Sequence, residues 1–361
     1  MKKIGMTCLT GILLLSFSTE SFARQWSLND CIRYALENNI QLKKAKLKEY
    51  SALEDVKQSQ AALLPSLNFS TSQNVSYNPW PEKGRATVAD GYVQSSADKV
   101  YYNGSYSLIG NWTVWNGNKN TNTLKLNKLA TEQAQLDSAV TANSVLEQIA
   151  QLYVQILYSN EAISVSQESL KTSQTNEERG KTMVNVGKMS KADLAQLTAQ
   201  RAQDEYNIVE AESNLKNYKR QLKQILQIAD NEEFDVTIPS TTDQMALKSV
   251  PDMNDVYLAS LEQRPEIKNA KLGIESSDLS IKIAKAGKLP SISMNAGLST
   301  STTSMSKSGW DNQIKNNFTL GGGVTISIPL FDNRQTKTAV NKAMIQKQDY
   351  LLDLQDKQTT L

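Results

Sequence analysis

Helical stretches rich in polar residues give way in this chain to short segments in which every second residue is apolar. The segment 66–77 places Leu67, Phe69 and Tyr77 on one face, and the segment 101–115 alternates in the same way. Because successive strand side chains point to opposite sides, strict alternation is the pattern of a strand with two different faces. The two segments are therefore predicted to be strands.

The same plan occurs twice at one fixed offset. QLKKAKL at 41–47 returns as EIKNAKL at 266–272, and ALLPSLNFS at 62–70 returns as GKLPSISMN at 287–295. An internal duplication at a fixed period sets the architecture, and this period is too long for a solenoid. The chain is therefore predicted to consist of two large structural repeats.

Prolines mark the predicted junctions between helices and strands. Pro65 and Pro290 stand in the two Leu-Pro-Ser steps, and Pro329 lies at the end of the last alternating segment. Proline lacks a backbone N–H and clashes with the preceding helical turn, so it ends a helix.

The predicted elements form two repeats, 24–228 and 253–361, joined by a linker. The first repeat is predicted to contain helix 27–64, strands 66–77 and 101–115, and helices 119–185 and 190–228. The second is predicted to contain helix 255–289, strands 291–300 and 318–330, and helix 333–361. The acidic segment 229–252, with two prolines, is predicted to be a linker or equatorial segment.

The helix 190–228 carries a seven-residue repeat. Its two seam positions are occupied by Leu194, Leu197, Arg201, Asp204, Ile208, Ala211, Leu215, Tyr218, Leu222 and Ile225. Eight of these ten residues are apolar or aromatic, which predicts an antiparallel coiled coil with the helix 119–185.

A break between these two long helices is a candidate docking site. Its residues are Val186, Gly187, Lys188, Met189, Ser190 and Asp193, with Ser190 as the predicted cap and Asp193 in the first turn. An exposed break suits the docking of a partner protein. An ordinary helix–helix turn explains the same residues.

Aromatic residues mark both ends of the predicted strands. Tyr102 and Trp112 lie ten residues apart on one face, roughly 25 Å at a strand tilt near 40°, which is the height of the apolar band of an outer-membrane barrel. The predicted outer girdle contains Tyr77, Trp80, Tyr101 and Tyr102, and the predicted inner one contains Trp112 and Trp115. A soluble hairpin with one half-buried face is the alternative.

The predicted faces extend to both repeats. Leu108, Ile326 and Ile328 are expected on the lipid side. The opposite, lumen side is expected to carry Ser107, Asn111, Thr325 and Ser327.

The N-terminus has the three parts of a secretory signal peptide, predicted at 1–23. Lys2 and Lys3 are followed by an apolar core and the small-x-small cleavage site SFA. Cys31 is then the only cysteine of the exported chain, so no disulfide can form within it. Since no later segment approaches the roughly 18 apolar residues of a spanning helix, any membrane crossing is predicted to be made by strands.

No catalytic, metal or cofactor site is predicted. The chain has no histidine, which removes Ser-His-Asp catalysis and imidazole metal ligands. Gly180-Lys181-Thr182 resembles the end of a phosphate-binding loop, but Thr175 stands where the first glycine is required. The net charge of +2 gives no electrostatic case for binding nucleic acid. We therefore do not expect an enzyme.

Six segments follow one another in an order that carries a family resemblance. They are SLNDCIRYALENNIQL at 27–42, LLPSL at 63–67, VGKMSKADL at 186–194, LEQRPEIKNAKL at 261–272, KLPSI at 288–292 and IPLFDN at 328–333. Together with the duplication and the signal peptide, they resemble the outer membrane efflux protein family, the TolC-like channels.

This resemblance implies an α+β membrane protein of the Gram-negative outer membrane, acting as the channel component of a tripartite efflux or type I secretion system. It implies a homotrimer in which each chain gives four strands to a transmembrane β-barrel above a periplasmic α-barrel of coiled-coil helices. The implied partners are a periplasmic adaptor (a membrane fusion protein), an inner-membrane transporter and outer-membrane lipid, with no cofactor. From the residues alone, four strands must be pooled between chains, since about eight strands form the smallest membrane barrel.

A second interpretation is a periplasmic or surface coiled-coil scaffold without a pore. Aromatic residues gathered at the two ends of the strands favour the channel, whereas an even spread of aromatics would favour the scaffold. No residue in the sequence selects an exported substrate.

The duplication also predicts that the sequence is a truncated version of a longer protein. Aligning 112–115 with 328–331 places Leu361 opposite Val145, so the second repeat has no counterpart of 186–228. Completing it would take roughly eighty-five further residues.

Overall fold

The computed structural model describes residues 24–80, 86–89, 92–95, 99–229, 234–238, 249 and 251–361. The predicted signal peptide, 1–23, lies outside these residues. The chain divides into two compact units, the first made of 1–43 with 141–249 and the second of 44–140 with 250–361.

The secondary structure alternates long helices with long strands. The helices are α1 (Leu28–Asn38), α2 (Ile40–Ala61), α3 (Lys119–Asn185), α4 (Lys191–Leu226), α5 (Met253–Gln263), α6 (Pro265–Lys285), α7 (Trp310–Asn316) and α8 (Gln335–Thr359). The strands are β1 (Arg24–Trp26), β2 (Ser66–Tyr77), β3 (Ala86–Ala89), β4 (Tyr92–Ser95), β5 (Val100–Trp115), β6 (Phe234–Val236), β7 (Ser291–Thr303) and β8 (Thr319–Ser327).

Both repeats follow one plan of helix, strand, strand and helix. The first repeat runs α2, β2, β5 and α3, and the second runs α6, β7, β8 and α8. The four long strands form one antiparallel sheet in the order β2-β5-β7-β8. The predicted α+β class, with two repeats, four long strands and long helices, is confirmed.

The predicted helix 27–64 is wrong as a single helix, because it divides at Asn39 into α1 and α2. Asn39 has extended backbone angles, and its Oδ1 accepts hydrogen bonds from the N–H groups of Gln41 at 2.8 Å and Leu42 at 3.3 Å. Asparagine caps helices in this way because its side chain satisfies the free N–H groups of the first turn. Its Nδ2 also donates to the carbonyl of Ile225 at 2.9 Å, which holds the break in place.

The predicted helix 255–289 also divides, into α5 and α6, with a further 3₁₀ turn at Ala286–Lys288. The break is at Arg264, whose backbone is extended. Pro265 causes it, because proline disfavours helical angles in the residue before it while fitting the first turn of the next helix.

Part of the predicted linker 229–252 is a strand. Its residues 234–236 form β6, which pairs in parallel with β1. Asp235 makes an ion pair of 2.9 Å with Lys219, and the carbonyl of Thr237 accepts a hydrogen bond from the Tyr153 hydroxyl. The β6 strand therefore belongs to the first unit.

The second-repeat strands differ from the prediction at their ends. β7 continues to Thr303, whereas β8 stops at Ser327, so Pro329 and Ile328 lie beyond the ladder. The last pair is Ser291 with Ser327. The partner strand begins just after Pro290, and Pro329 offers no N–H, so pairing ends there.

The first unit has a continuous apolar core. Its buried residues are Trp26, Cys31, Ala35, Val145, Ile149, Leu152, Tyr153, Ile156, Leu222, Leu226 and Val236. The five α3 residues among them recur at helical spacing and form one stripe. α1, α3, α4 and the β1–β6 pair therefore enclose one core.

Small and polar residues hold the helices of the second unit together. A side chain at Gly273 of α6 would come within 3.0 Å of the Tyr350 ring on α8, so these two helices pack closely. Lys347 of α8 and Asp278 of α6 form an ion pair of 2.7 Å. The Gln133 amide of α3 donates to the side-chain carbonyl of Asn269 on α6 at 3.3 Å.

The α4 seam is the buried side of that helix. All ten predicted seam residues are buried or half-buried. Leu222 and Leu226 lie in the core beside the α3 residues Val145 and Ile149. Near the other end, a side chain at Gly180 would lie 2.7 Å from the Leu197 methyl group. Hence α3 and α4 pack against each other, as the heptad pattern predicts.

Candidate functional site

The four-stranded sheet has two chemically different faces. One row of directly paired residues, Phe69, Leu108, Leu298 and Leu320, is wholly apolar. The next row, Ser70, Ser107, Ser299 and Thr319, is wholly hydroxylated. Because neighbouring rows face opposite sides of a sheet, we call the side of Leu108 the apolar face and the side of Ser107 the polar face. The hydroxyls of Ser70 and Ser107 are 2.7 Å apart.

The register confirms the predicted division between the faces for the six residues that lie in the ladder; Ile328 lies beyond it and stays a prediction. Leu108 and Ile326 lie on the apolar face. The polar face carries Ser107, Asn111, Thr325 and Ser327.

The apolar face is exposed in the isolated chain. Phe69 is 65% and Leu320 is 73% exposed. A continuous exposed apolar surface of this kind marks contact with lipid or with another protein.

A bulge in β5 brings two tryptophans to the same face. The register shifts between Thr113 and Trp115, so that Trp112 pairs with Met294 and Trp115 with Ile292. Residues three apart in a regular strand point to opposite sides, but the extra residue of a bulge restores a common side. Both residues of the predicted inner girdle therefore lie on the apolar face.

The residues predicted for the outer girdle divide between the faces. Tyr77 pairs with Val100, and Tyr102 pairs with Val75, both on the apolar face. Tyr101 pairs with Ser76, one position out of phase, and so lies on the polar face. The register therefore brings together Tyr77 and Tyr102 but not Tyr101.

The prolines lie where chain direction changes. Pro65 stands between α2 and β2, Pro290 between the 3₁₀ turn and β7, and Pro329 between β8 and α8. The first junction is fixed by the Trp112 indole, whose Nε1 donates to the carbonyl of Leu63 at 2.9 Å. Trp112 thus ties β5 to the turn that follows α2.

Two strands of the sheet pair on one side only. In the order β2-β5-β7-β8, β2 and β8 are the edges. An edge strand presents unpaired N–H and C=O groups along its length, which favours pairing with another chain.

The hairpin tip between α3 and α4 closes α3 with a Schellman motif. The N–H of Lys188 donates to the carbonyl of Met183 at 2.8 Å, and the N–H of Gly187 donates to that of Val184 at 3.0 Å. This motif requires a left-handed residue, and Gly187 has φ +71°. The sequence VGK therefore ends the helix with little strain.

Ser190 starts the returning helix, as the sequence predicts. Its Oγ accepts a hydrogen bond from the N–H of Asp193 at 3.1 Å and donates to the Asp193 carboxylate at 2.8 Å. Val186 and Lys188 are exposed, while Met189 is half-buried. The tip therefore offers Val186, Lys188 and the Gly187 backbone to solvent.

Behind the tip lies a charged cluster that the sequence analysis missed. The carboxylate of Glu177 is almost buried and pairs with Arg201 at 2.9 Å and Lys181 at 3.2 Å. The Thr198 hydroxyl donates to it at 2.9 Å. This hydrogen bond, followed by the two cations, lowers the pKa of Glu177, so its carboxylate stays ionised at neutral pH.

The sequence signal for this cluster is Arg201, one of the two charged residues in the α4 seam. Its partner Glu177 cannot be chosen from the sequence, because Glu178 is its neighbour and the rotation of α3 decides which faces α4. Lys181, which belongs to the segment resembling a phosphate-binding loop, lies inside α3 and pairs with Glu177. That segment is a helix and forms no loop.

No metal-binding group of three or more His, Cys, Asp or Glu residues occurs in the part of the chain that the structure describes. Among the described residues, no helix combines the length and apolarity needed to span a membrane.

Cys31 is fully buried in the core of the first unit. Burial is the main reason that the pKa of its thiol rises to about 12, with a smaller contribution from Asp30. Only the thiolate reacts with alkylating reagents at an appreciable rate. The folded protein should therefore leave Cys31 unmodified.

We expect a maleimide at pH 7 to leave Cys31 unlabelled in the folded protein and to label it after unfolding in denaturant. Mass spectrometry of the mature chain under both conditions measures this. The variant Ser107→Cys, on the polar face, serves as the reactive control. Rapid labelling of Cys31 in the folded protein would show that the core of the first unit is open.

Comparison with known proteins agrees with this geometry. The sequence model of the outer membrane efflux protein family matches residues 31–226 and 256–361. The toxin and drug export protein A of Aggregatibacter actinomycetemcomitans is 24% identical over 325 residues, which are 90% of this chain and 65% of that protein. The chain thus spans about 65% of the length of the curated relatives it matches.

Two solved structures share the fold. The Campylobacter jejuni CmeC outer membrane channel superimposes with a TM-score of 0.74 and 20% identity, over 92% of this chain and 68% of CmeC. The outer membrane protein VceC of Vibrio cholerae gives a TM-score of 0.74 and 18% identity, over 92% of this chain and 75% of VceC. These similarities are to efflux and channel proteins rather than to enzymes. The chain belongs to the outer membrane efflux protein family, and it is an outer-membrane protein with the fold of that family's channels.

Proposed function

We propose that the chain is the outer-membrane component of a tripartite efflux or type I secretion system and forms a passive export duct from the periplasm to the exterior. The sheet carries this proposal, because one exposed face is apolar and the other is polar. Such a sheet separates lipid from water when it is closed into a barrel. A duct of this kind requires no catalysis by the chain itself.

Closure needs more than one chain. Each chain supplies four long strands with free edges at β2 and β8, and about eight strands form the smallest membrane barrel. We infer a homotrimer with twelve strands, in which β8 of one chain pairs with β2 of the next. The family supports the number three; the free edges support pooling of strands in general.

The polar face would line the lumen. Its residues in the central strands are mostly Ser, Thr and Asn, such as Ser107, Asn111, Ser299 and Asn295. Uncharged hydroxyl and amide groups solvate many solutes without holding one tightly. Substrate would therefore diffuse outward, and the choice of substrate would rest with an inner-membrane transporter.

The hairpin tip would meet a periplasmic adaptor. Val186, Gly187 and Lys188 are exposed, and the space beside Gly187 is open within 4 Å. The Glu177–Arg201 pair keeps α3 and α4 in register behind the tip. A rigid hairpin with an exposed apolar and basic end suits docking better than it suits a mere reversal of the chain.

Replacing Gly187 tests whether the hairpin tip docks the adaptor. Gly187→Val should leave the trimer assembled but abolish export and adaptor cross-linking, because a β-branched residue is disfavoured at φ +71° and forces the turn to move. Gly187→Asn is the matched control, since asparagine tolerates left-handed angles. Growth on a toxic export substrate and cross-linking yield measure the two effects.

If Gly187→Val exports normally, the tip is only a helix–helix turn.

Conductance in planar lipid bilayers tests the duct itself. The purified protein should give discrete, salt-dependent current steps that shift in ion selectivity when a polar-face residue is replaced by a charged one. A periplasmic or surface coiled-coil scaffold would give no steps at all. That result would overturn the proposed function.

A further inference from the structure

The helix α7 lies on the apolar-face side of the sheet, at its outer end. The rings of Tyr106 and Trp310 meet edge to face, with centroids 6.3 Å apart. The Thr300 hydroxyl donates to the carbonyl of Ile314 at 2.8 Å. Tyr106 and Thr300 are paired with each other in the sheet and lie two positions along from Leu108 and Leu298. Both contacts therefore come from the apolar face.

Hydrogen bonds hold α7 firmly in this position. The buried Gln313 accepts from the N–H of Thr303 at 2.7 Å and donates to the carbonyl of Ser308 at 2.8 Å. Asn317 donates to the carbonyl of Ser301 at 2.7 Å. α7 is thus part of the sheet's surface and not a free loop.

The rows near α7 differ from the rest of the apolar face. On β5 and β7, where α7 stands, the outermost wholly apolar pair is Leu108 with Leu298. Beyond it come Tyr106 with Thr300 and Gly104 with Thr302, beside Thr71 and Gln73 of β2. Hydroxyl and amide side chains are costly against acyl chains but are well solvated among lipid headgroups. The change of composition places α7 at the headgroup level.

The exposed side chains of α7 and of the residues just before it suit the headgroup level of a membrane. Trp310 remains 61% exposed although its ring touches Tyr106. Tryptophan prefers the membrane–water interface, because its ring is apolar and its N–H is polar. Lys307 and Lys315 are exposed beside it, together with one acid, Asp311. Cations of this kind are attracted to headgroup phosphates.

We propose that α7 is an interfacial helix, which rests on the headgroup layer of the outer leaflet and fixes how deeply the sheet sits in the membrane. Lipid headgroups fit the exposed side of α7 better than a neighbouring copy of the chain does. α7 stands on β5 and β7, the two central strands, whereas copies would meet at β2 and β8. This inference rests on the proposed function, in that the apolar face must contact lipid.

Depth-dependent quenching tests the proposal. The full-length protein carrying Asn312→Cys, which leaves Trp310 in place, is labelled with an environment-sensitive fluorophore and reconstituted in phosphatidylcholine vesicles. The vesicles carry a spin label either on the headgroup or in the middle of the acyl chain. Val324→Cys on the apolar face and Thr325→Cys on the polar face are the matched controls, and the buried Cys31 gives no background.

We expect headgroup label to quench position 312 several times more than mid-chain label, and the order to reverse at position 324. Trp310→Ala in the 312 variant should reduce the headgroup quenching, whereas Trp80→Ala, at another exposed tryptophan, should not. If 324 is quenched by mid-chain label but 312 by neither label, α7 does not rest on lipid and the inference fails alone. If 324 is not quenched either, the membrane placement of the sheet, and with it the proposed function, fails.

Discussion

Val324→Arg is expected to destabilise the protein in lipid vesicles by about 2–4 kcal/mol, the cost of a cation facing lipid near the bilayer midplane. Val324 pairs with Met294, which pairs with Trp112, all on the apolar face. It lies midway between Leu320 and Ile328. Denaturant unfolding of the vesicle-bound protein, followed by tryptophan fluorescence, measures the change.

Thr325→Arg is the matched control, one residue further along the same strand. Thr325 pairs with Ser293 on the polar face, so an arginine there would enter water. We expect little loss of stability and a shift of ion selectivity towards anions in planar bilayers. Equal destabilisation by the two variants would contradict the assignment of the faces.

Ile149→Ala is expected to lower the free energy of unfolding of the first unit by about 2–5 kcal/mol, the range for removing a large aliphatic side chain from a packed core. Ile149 is 0% exposed and lies among Val145, Leu222 and Leu226. Hydrogen exchange of the α3 amides at 141–160, read by mass spectrometry, reports this unit separately from the sheet.

Val154→Ala is the matched control on the same helix, because Val154 is 61% exposed and lies outside the core. Its cost should be a few tenths of a kcal/mol, as for surface substitutions in general. Faster exchange in Val154→Ala than in Ile149→Ala would mean that the core of the first unit lies elsewhere.

The sequence predicted the architecture well because the information is local or periodic. Alternation marked all four long strands, and the bounds 66–77 of the first are those observed. Heptad spacing marked the buried side of α4. Turn and capping residues within one short segment were also predicted from the sequence, as at Gly187 and Ser190 of the hairpin tip.

The breaks within helices were missed although their signals are short-range. Asn39 caps α2 with its own side chain, and Pro265 disfavours helix at Arg264. In both places an uninterrupted polar helical pattern outweighed one residue with a strong local preference. A capping residue or proline inside a long helical pattern therefore indicates a helix boundary as strongly as one at either end of the pattern.

Other features were missed because they depend on pairing between distant segments. β6 is short and becomes a strand only by pairing with β1. The choice of Glu177 over Glu178 depends on the rotation of α3 against α4. Tyr101 was assigned to the outer girdle, but its pairing with Ser76 places it on the polar face.

The pairing of β5 with β7 has a consequence for the timing of assembly in the cell. β5 ends at Trp115, and its partner begins at Ser291, so all of α3 to α6 must be synthesised and exported between them. Until then the β2–β5 hairpin has an open edge that is competent to pair with any extended chain. Joining such distant segments is slow, since loop closure precedes the contacts that reward it. Until the second repeat arrives, this hairpin is therefore exposed to edge-to-edge aggregation, and the risk lasts as long as α3 to α6 take to follow.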